Sequence, residues 1–219
     1  MDNEPIFKIT QIDLKKEDVS GFVREQEAEL ANTIPAEEGS LLFGSSHEDA
    51  DGTKNYVIEL YRNSESYEAH STADYFDYYD KVIKKISKNI KSYDLKPEFI
   101  TTKPNESLNT DANFFVERLI KVELTDNSYE QFAKNVKKEM RSAMAQEPGA
   151  QILMAGSNIQ NENEWFFFEV YSNDKAYDEH LKDKWFVRYF KGSEDLVKDR
   201  QVHELSRDVL ATQGAIVLD

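Results

Sequence analysis

The 219-residue sequence contains no cysteine. It therefore forms no disulfide bonds, has no thiolate nucleophile and builds no zinc site on cysteine, and it is compatible with a reducing cytosol. Its first ten residues, MDNEPIFKIT, have neither the basic start nor the apolar core of a signal peptide. Nowhere do about 18 apolar residues follow one another. We therefore expect a cytoplasmic protein that does not bind a membrane.

The sequence also lacks the usual motifs of metal, phosphate and nucleophile sites. Its four histidines show neither HxH nor HExxH spacing, and there is no glycine-rich phosphate loop and no GxSxG elbow. Basic residues are few, 27 against 42 acidic ones, and the formal charge of −15 repels phosphate backbones and anionic lipids. We expect no metal, no other cofactor and no nucleic-acid partner.

One stretch is present twice. Residues 59–70 are ELYRNSESYEAH and residues 169–180 are EVYSNDKAYDEH, and the two agree at Glu, Tyr, Asn, Tyr and His. The same offset of 110 positions aligns both halves without a gap, and this period is far longer than that of solenoid repeats. The sequence therefore predicts two domains, residues 1–102 and 113–219, joined by a polar linker at residues 103–112.

Each half shows the same order of predicted elements, β-α-β-β-α-β. In the first half we predict strands at 6–14, 41–43, 56–61 and 92–101, a helix beginning near Val19, and a broken helix capped by Asn63 or Ser64. The second half repeats this with strands at 114–124, 152–154, 165–171 and 202–210 and a cap at Asn173 or Asp174. Ser128 and Gln131 form a candidate capping box. Residues 81–91 are predicted to be a solvated helix face.

This order is the ferredoxin-like arrangement, an antiparallel sheet with helices on one face. Residues 165–168 are apolar at four successive positions, which indicates a strand buried on both faces. We therefore predict an α+β fold in which two ferredoxin-like βαββαβ repeats form an intrachain pseudo-dimeric α+β barrel. The chain should be able to exist as a monomer, and higher homo-oligomers remain open.

The repeated motif resembles the antibiotic biosynthesis monooxygenase family of dimeric α+β barrel proteins. The shared features, present in both halves, are a glycine after the first helix, a strand that ends in Glu and Tyr, a helix with Tyr and His, and then a Phe. The residues concerned are Gly39, Glu59, Tyr61, Tyr67, His70 and Phe76, and Gly149, Glu169, Tyr171, Tyr177, His180 and Phe186. The resemblance covers essentially both halves, so the chain looks like a fused dimer.

The resemblance implies a pocket in each half in which a small phenolic or quinol-like aromatic is oxidised by O2 without a cofactor. Such chemistry needs a base poised near neutral pH, a donor for the oxyanion and dry aromatic walls. The predicted catalytic residues are His70, His180, Glu59 and Glu169. The predicted substrate-binding residues are Tyr61, Tyr171, Phe76, Phe186, Tyr79 and Tyr189.

Other interpretations stay open at this point. The repeated Glu and His residues could have a structural role instead of a catalytic one. In that case the glutamates accept hydrogen bonds at helix caps or form salt bridges, and the histidines are hydrogen-bonded core residues. A non-catalytic small-molecule-binding or stress-associated protein is the alternative function. A heme-degrading role fits less well, because Asp80 and Phe190 occupy the position at which such relatives have their iron ligand. We also expect unequal halves, since Phe166–Phe168 would shrink or reshape the second pocket.

Overall fold

The computed structural model describes residues 4–104 and 115–218. These residues form two compact units, one made of residues 4–94 and 205–214 and the other of residues 95–104, 115–204 and 215–218. Each unit combines antiparallel strands with helices, so the predicted α+β class is confirmed. Within the described ranges, no helix is long and apolar enough to span a membrane. Most of the predicted linker, from residue 105 to residue 112, lies outside the described residues.

The first repeat has the predicted order of elements. They are β1 (Ile6–Leu14), α1 (Val19–Thr33), β2 (Ser40–His47), β3 (Lys54–Tyr61), α2 (Ser64–Ser71), α3 (Asp74–Ile86) and β4 (Ser87–Thr102). Strand β3 lies between β1 and β2 and is antiparallel to both. Strand β1 also pairs with β4.

The second repeat has the same order and pairing. Its elements are β5 (Val116–Leu124), α4 (Tyr129–Gln146), β6 (Ala150–Asn158), β7 (Asn161–Tyr171), α5 (Asp174–His180), α6 (Lys184–Lys191) and β8 (Val197–Thr212), and a short β9 (Val217–Leu218) follows. Strand β7 lies between β5 and β6 and is antiparallel to both. The prediction of two ferredoxin-like repeats is confirmed.

The last strand of each repeat is longer than predicted. Strand β4 begins directly after α3, so the helix ends at Ile86 and the predicted helical face over residues 81–91 is wrong beyond that residue. Residues 88–91 are exposed and belong to β4, so the helical spacing of apolar residues does not continue into this segment. Pairing with β1 decides their conformation instead, and Asn89 Nδ2 donates to Asp13 Oδ2 at 3.3 Å.

Two of the predicted helix caps are present and one is not. The side-chain oxygens of Asn63 and Asn173 accept from the backbone N–H groups of Ser66 and Ala176, both at 2.9 Å. The candidate capping box is wrong, because the Ser128 side chain makes no cap hydrogen bond. Its hydroxyl lies 2.6 Å from Thr125 Oγ1 instead, and nearby side chains can thus compete for a cap.

The core of the second unit forms between β7 and α4. All four residues from Trp165 to Phe168 are buried, as the apolar run predicted. The Trp165 ring packs edge-on against Phe132 of α4 with centroids 5.0 Å apart, and Phe167 lies on the same side at 6.2 Å from Phe132. This packing fixes α4 over β7, the strand that carries Glu169.

The glycine in each repeat allows a close approach of the chain to a helix. A Cβ atom on Gly149 would lie 2.3 Å from Ala176 Cβ, and one on Gly39 would lie 2.1 Å from Ser66 Oγ. No side chain fits at such distances, so glycine lets α5 and α2 pack directly on these loops. This contact brings the end of each helix near the residues that precede the glycine, among them Glu147 and Glu37.

Candidate functional site

The Glu and Tyr at the end of β3 and β7 are hydrogen-bonded partners. Residues two apart on a strand point to the same face, and Tyr61 Oη donates to Glu59 Oε1 at 2.6 Å. Tyr171 Oη donates to Glu169 Oε2 at 3.0 Å in the same way. Burial, followed by the charge of the neighbouring glutamate, raises the pKa of both tyrosines far above its usual range. Both phenols therefore stay neutral and orient a carboxylate.

The repeated histidines lie on the inner faces of their helices. His70 and His180 are 0% and 1% exposed, and their rings lie 5.1 and 5.0 Å from those of Tyr61 and Tyr171. The Tyr61 ring also lies 5.2 Å from the ring of Tyr67, three residues before His70, so Tyr67 and His70 lie on the same face of α2. Each histidine is a buried group rather than a solvent-facing one.

Each histidine also contacts two carboxylates that the sequence analysis did not identify. His70 Nδ1 lies 3.1 Å from Glu37 Oε2, and its Nε2 lies 3.5 Å from Glu29 Oε1. His180 Nδ1 lies 3.0 Å from Glu147 Oε2 and 3.9 Å from Glu139 Oε1. Glu29 aligns with Glu139 and Glu37 with Glu147 in the 110-residue register. A search of that register for identical charged pairs would have found them.

Burial raises the pKa of several of these carboxyl groups, so they are weaker acids than an exposed glutamate. It raises the pKa of Glu139 to about 8, and the charge of His180 opposes this shift. It also raises the pKa of Glu29 to about 7, with a contribution from Glu59, and it raises the pKa of Glu169. Burial alone would lower the pKa of His180, but its hydrogen bond to Glu147 and the nearby carboxylates raise it.

A cavity of about 500 Å³ lies beside this cluster in the second unit. Its walls come from strands β5, β7 and β8 and from helices α4, α5 and α6. The lining residues are Ile120, Glu139, Phe167, Glu169, Tyr177, Leu181, Phe186, Val187, Tyr189, Phe190, Lys191, Glu194, Arg200 and Val202. Three of the predicted site residues, Glu169, Phe186 and Tyr189, are thus brought together, whereas His180 and Tyr171 lie behind the wall. Phe167 is the residue of the apolar run that faces the cavity.

The charged groups of the cavity wall belong to Glu139, Glu169, Lys191, Glu194 and Arg200. Arg200 Nη2 donates a hydrogen bond to Tyr189 Oη at 3.2 Å. The Arg200 guanidinium also lies over the Phe190 ring at 4.9 Å. The same aromatic-walled cavity thus holds carboxyl groups and hydrogen-bond donors, a combination that can remove a proton from a small molecule and hold the resulting anion.

The first repeat places the corresponding residues differently. Tyr79, which aligns with Tyr189, receives a hydrogen bond from Gln26 Nε2 at 3.0 Å, and Ile90 stands at the position of Arg200. Phe76 packs against the His70 ring with centroids 4.7 Å apart. Glu59 remains with Tyr61, so the first repeat keeps the Glu, Tyr and His set without the arginine.

The family model for antibiotic biosynthesis monooxygenase matches the chain twice, at residues 5–81 and 116–192. A solved structure from Lactobacillus acidophilus NCFM, provisionally named a monooxygenase, is 47% identical to this chain. It matches 99% of this chain and 100% of its own length with a TM-score of 0.92. No curated protein matches the sequence.

Two more distant structures share the fold. A protein from Fusobacterium nucleatum, also provisionally named a monooxygenase, is 20% identical over 100% of this chain and 99% of its own, with a TM-score of 0.92. An anthrone oxidase-like protein is 10% identical over 96% of this chain and 94% of its own, with a TM-score of 0.62. The fold is therefore shared over at least 94% of each of these chains.

Proposed function

Because the chain belongs to the antibiotic biosynthesis monooxygenase family, we propose that its second repeat oxidises a small phenolic or quinol-like aromatic with O2 and without a cofactor. One observation carries this proposal: an aromatic cavity whose lining includes Glu169 and the hydrogen-bonded pair Tyr189 and Arg200. The family membership supports a monooxygenase in general terms. The cavity supports the narrower choice of substrate.

The size and walls of the cavity favour one small aromatic molecule. Its volume of about 500 Å³ falls within the range of small-molecule pockets, which extends from about 300 to 1,000 Å³. Phe167, Phe186 and Tyr177 offer aromatic surfaces against which a planar ring can pack. A hydroxyl group on that ring would contact polar groups of the wall such as Glu169 and Arg200.

In the proposed reaction, Glu169 accepts the proton of the substrate hydroxyl. Burial raises the pKa of Glu169, which makes it a stronger base than an ordinary carboxylate, and the hydrogen bond from Tyr171 fixes its orientation. The phenolate oxygen would then be held by Tyr189 and Arg200. The electron-rich phenolate reduces O2 itself, one oxygen atom bonds to the ring system, and the other leaves as water with two substrate hydrogens.

The predicted catalytic histidines have a supporting role in this proposal. His180 contacts Tyr171, and Tyr171 orients Glu169, so the imidazole would act as a positioning residue through that chain of contacts. Glu59 and His70 form the matching set in the first repeat, where Tyr61 links them. We propose that this first set is mainly structural.

Oxygen consumption tests the proposal. The full-length protein in chelator-treated buffer is mixed with hydroquinones and hydroxylated anthrones, without added cofactor, and O2 uptake is recorded with an electrode. We expect one O2 per substrate and one oxygen atom from labelled O2 in the product. Tight binding of these aromatics without any O2 uptake would contradict the enzyme assignment and support a binding protein.

A further inference from the structure

We propose that Glu139, Glu147 and His180 form a binding site for one divalent first-row metal ion in the second repeat. Their ligand atoms all lie within 4.8 Å of one another. The site would adjoin the cavity proposed above for oxidation, and no bond-making step of that oxidation takes place at these three residues. The inference rests on geometry, on unpaired buried oxygens and on a comparison of the two repeats.

The measured separations suit a metal ion. His180 Nδ1 lies 3.0 Å from Glu147 Oε2 and 3.9 Å from Glu139 Oε1. Metal bonds to imidazole nitrogen and carboxylate oxygen are about 2.0–2.2 Å long, so two ligands of one ion lie at most about 4.4 Å apart. Both distances to His180 fall below this limit, and all three ligand atoms lie within 4.8 Å of one another. A small movement of the side chains therefore lets one ion replace the direct contact between these groups.

Three atoms of the cluster have no hydrogen-bond partner among the described residues. They are Glu139 Oε1, Glu147 Oε1 and His180 Nε2. Glu139 is only 6% exposed, and its unpaired Oε1 is the oxygen that faces the imidazole. A buried carboxylate without a partner is costly unless it is hydrogen-bonded, neutralised or bound to a metal. Among the described residues, no lysine or arginine forms an ion pair with either carboxylate.

The first repeat has the equivalent residues Glu29, Glu37 and His70, but there both carboxylates accept hydrogen bonds from hydroxyl groups. Tyr75 Oη donates to Glu37 Oε1, and Thr33 Oγ1 donates to Glu29 Oε1 at 3.4 Å. The aligned residues in the second repeat are Trp185 and Ala143, which have no hydroxyl group. The Trp185 ring nitrogen points to Gln146 instead, at 3.4 Å. The second repeat thus keeps the two glutamates and the histidine, but it lacks the two hydroxyl groups that bond to the glutamates in the first repeat.

The site is reachable and its ligands indicate the class of metal. Glu139 lines the cavity, so a hydrated ion can approach from there and keep water at its open positions. Two carboxylates also balance the charge of a divalent ion. A set of one imidazole and two carboxylates suits Zn²⁺ or Mn²⁺, whereas Ca²⁺ prefers oxygen ligands alone.

Calorimetric titration with ZnCl2 and MnCl2 tests this inference on the full-length, chelator-treated protein. We expect one ion per chain for at least one of the two metals. The Glu139→Gln variant should bind it about 100-fold more weakly or worse, because loss of a direct ligand exceeds the 10–100-fold effect of outer-shell partners. The matched Glu29→Gln variant of the first repeat should bind like the wild type.

A second variant keeps the test independent of any folding defect. Trp185→Tyr restores a phenol at the position of Tyr75 and should weaken metal binding while circular dichroism shows an unchanged fold. Absence of stoichiometric binding to the wild type would overturn the inference. Equal binding by the wild type and Glu139→Gln would also overturn it, because the ions would then lie on the acidic surface.

Discussion

Replacing Glu169 by glutamine lowers the rate of cofactor-free oxidation by about 10²-fold or more, the usual effect of losing a general base. Glutamine keeps the shape of the side chain and can still accept the hydrogen bond that Tyr171 donates at 3.0 Å. It cannot take a proton from a phenol at neutral pH. The rate of O2 uptake at saturating substrate measures this effect.

The matched control for this variant is Glu59→Gln, the same change in the first repeat. Glu59 accepts the equivalent hydrogen bond from Tyr61, so a purely structural effect would be similar in both variants. We expect the control to keep the wild-type rate. The wild-type rate should also rise with pH through the raised pKa of Glu169, and this rise should be absent in Glu169→Gln. An equal loss of rate in both variants would show that Glu169 is not the general base.

Replacing Glu29 by glutamine makes the protein more stable at alkaline pH, by about 3 kcal/mol. Burial raises the pKa of Glu29 from its ordinary 4.5 to about 7 in the folded protein. Between these values the folded state binds more protons than the unfolded state. Stability therefore decreases as the pH rises from about 4.5 to about 7, and the loss persists above that range. Glutamine carries no charge and avoids the loss.

Chemical denaturation of the wild type and the variant at about pH 5 and about pH 8 measures this difference. The gain in the free energy of unfolding should be small at the lower pH and near its full value at the higher one. Glu27→Gln serves as the control, because Glu27 is exposed on the same helix. A gain that does not depend on pH would show that the Glu29 carboxyl does not carry the effect.

The fold was predictable because the two halves align at an offset of 110 residues. Each helix and strand could therefore be predicted from two independent sequences. Strand β1 has the predicted bounds, and both broken helices and both asparagine caps are present. The lengths of β4 and β8 were not predictable, since their exposed first halves depend on pairing with distant strands. Ser128 failed as a cap for a similar reason, because its hydroxyl bonds to Thr125.

The candidate site was less predictable than the fold. The repeated motif identified His70 and His180, but it did not reveal that carboxylates from an earlier helix and loop contact them. Such contacts depend on how α1 and α4 pack, which no local pattern specifies. Arg200 was missed because it belongs to one repeat only, and the comparison of repeats favours what they share.

Titration of the full-length chain with a hydroxylated anthraquinone, which resembles the proposed product, tests most directly whether the second repeat holds the aromatic ligand. Leu181 lies on the cavity wall and is 37% exposed, so a tryptophan at this position can project into the cavity and obstruct a bound ring without disturbing the core. Ser71 is the aligned residue of the first repeat. We predict one ligand per wild-type chain, no binding by Leu181→Trp and unchanged binding by Ser71→Trp. Unchanged binding by Leu181→Trp, or its loss in Ser71→Trp, would contradict the account.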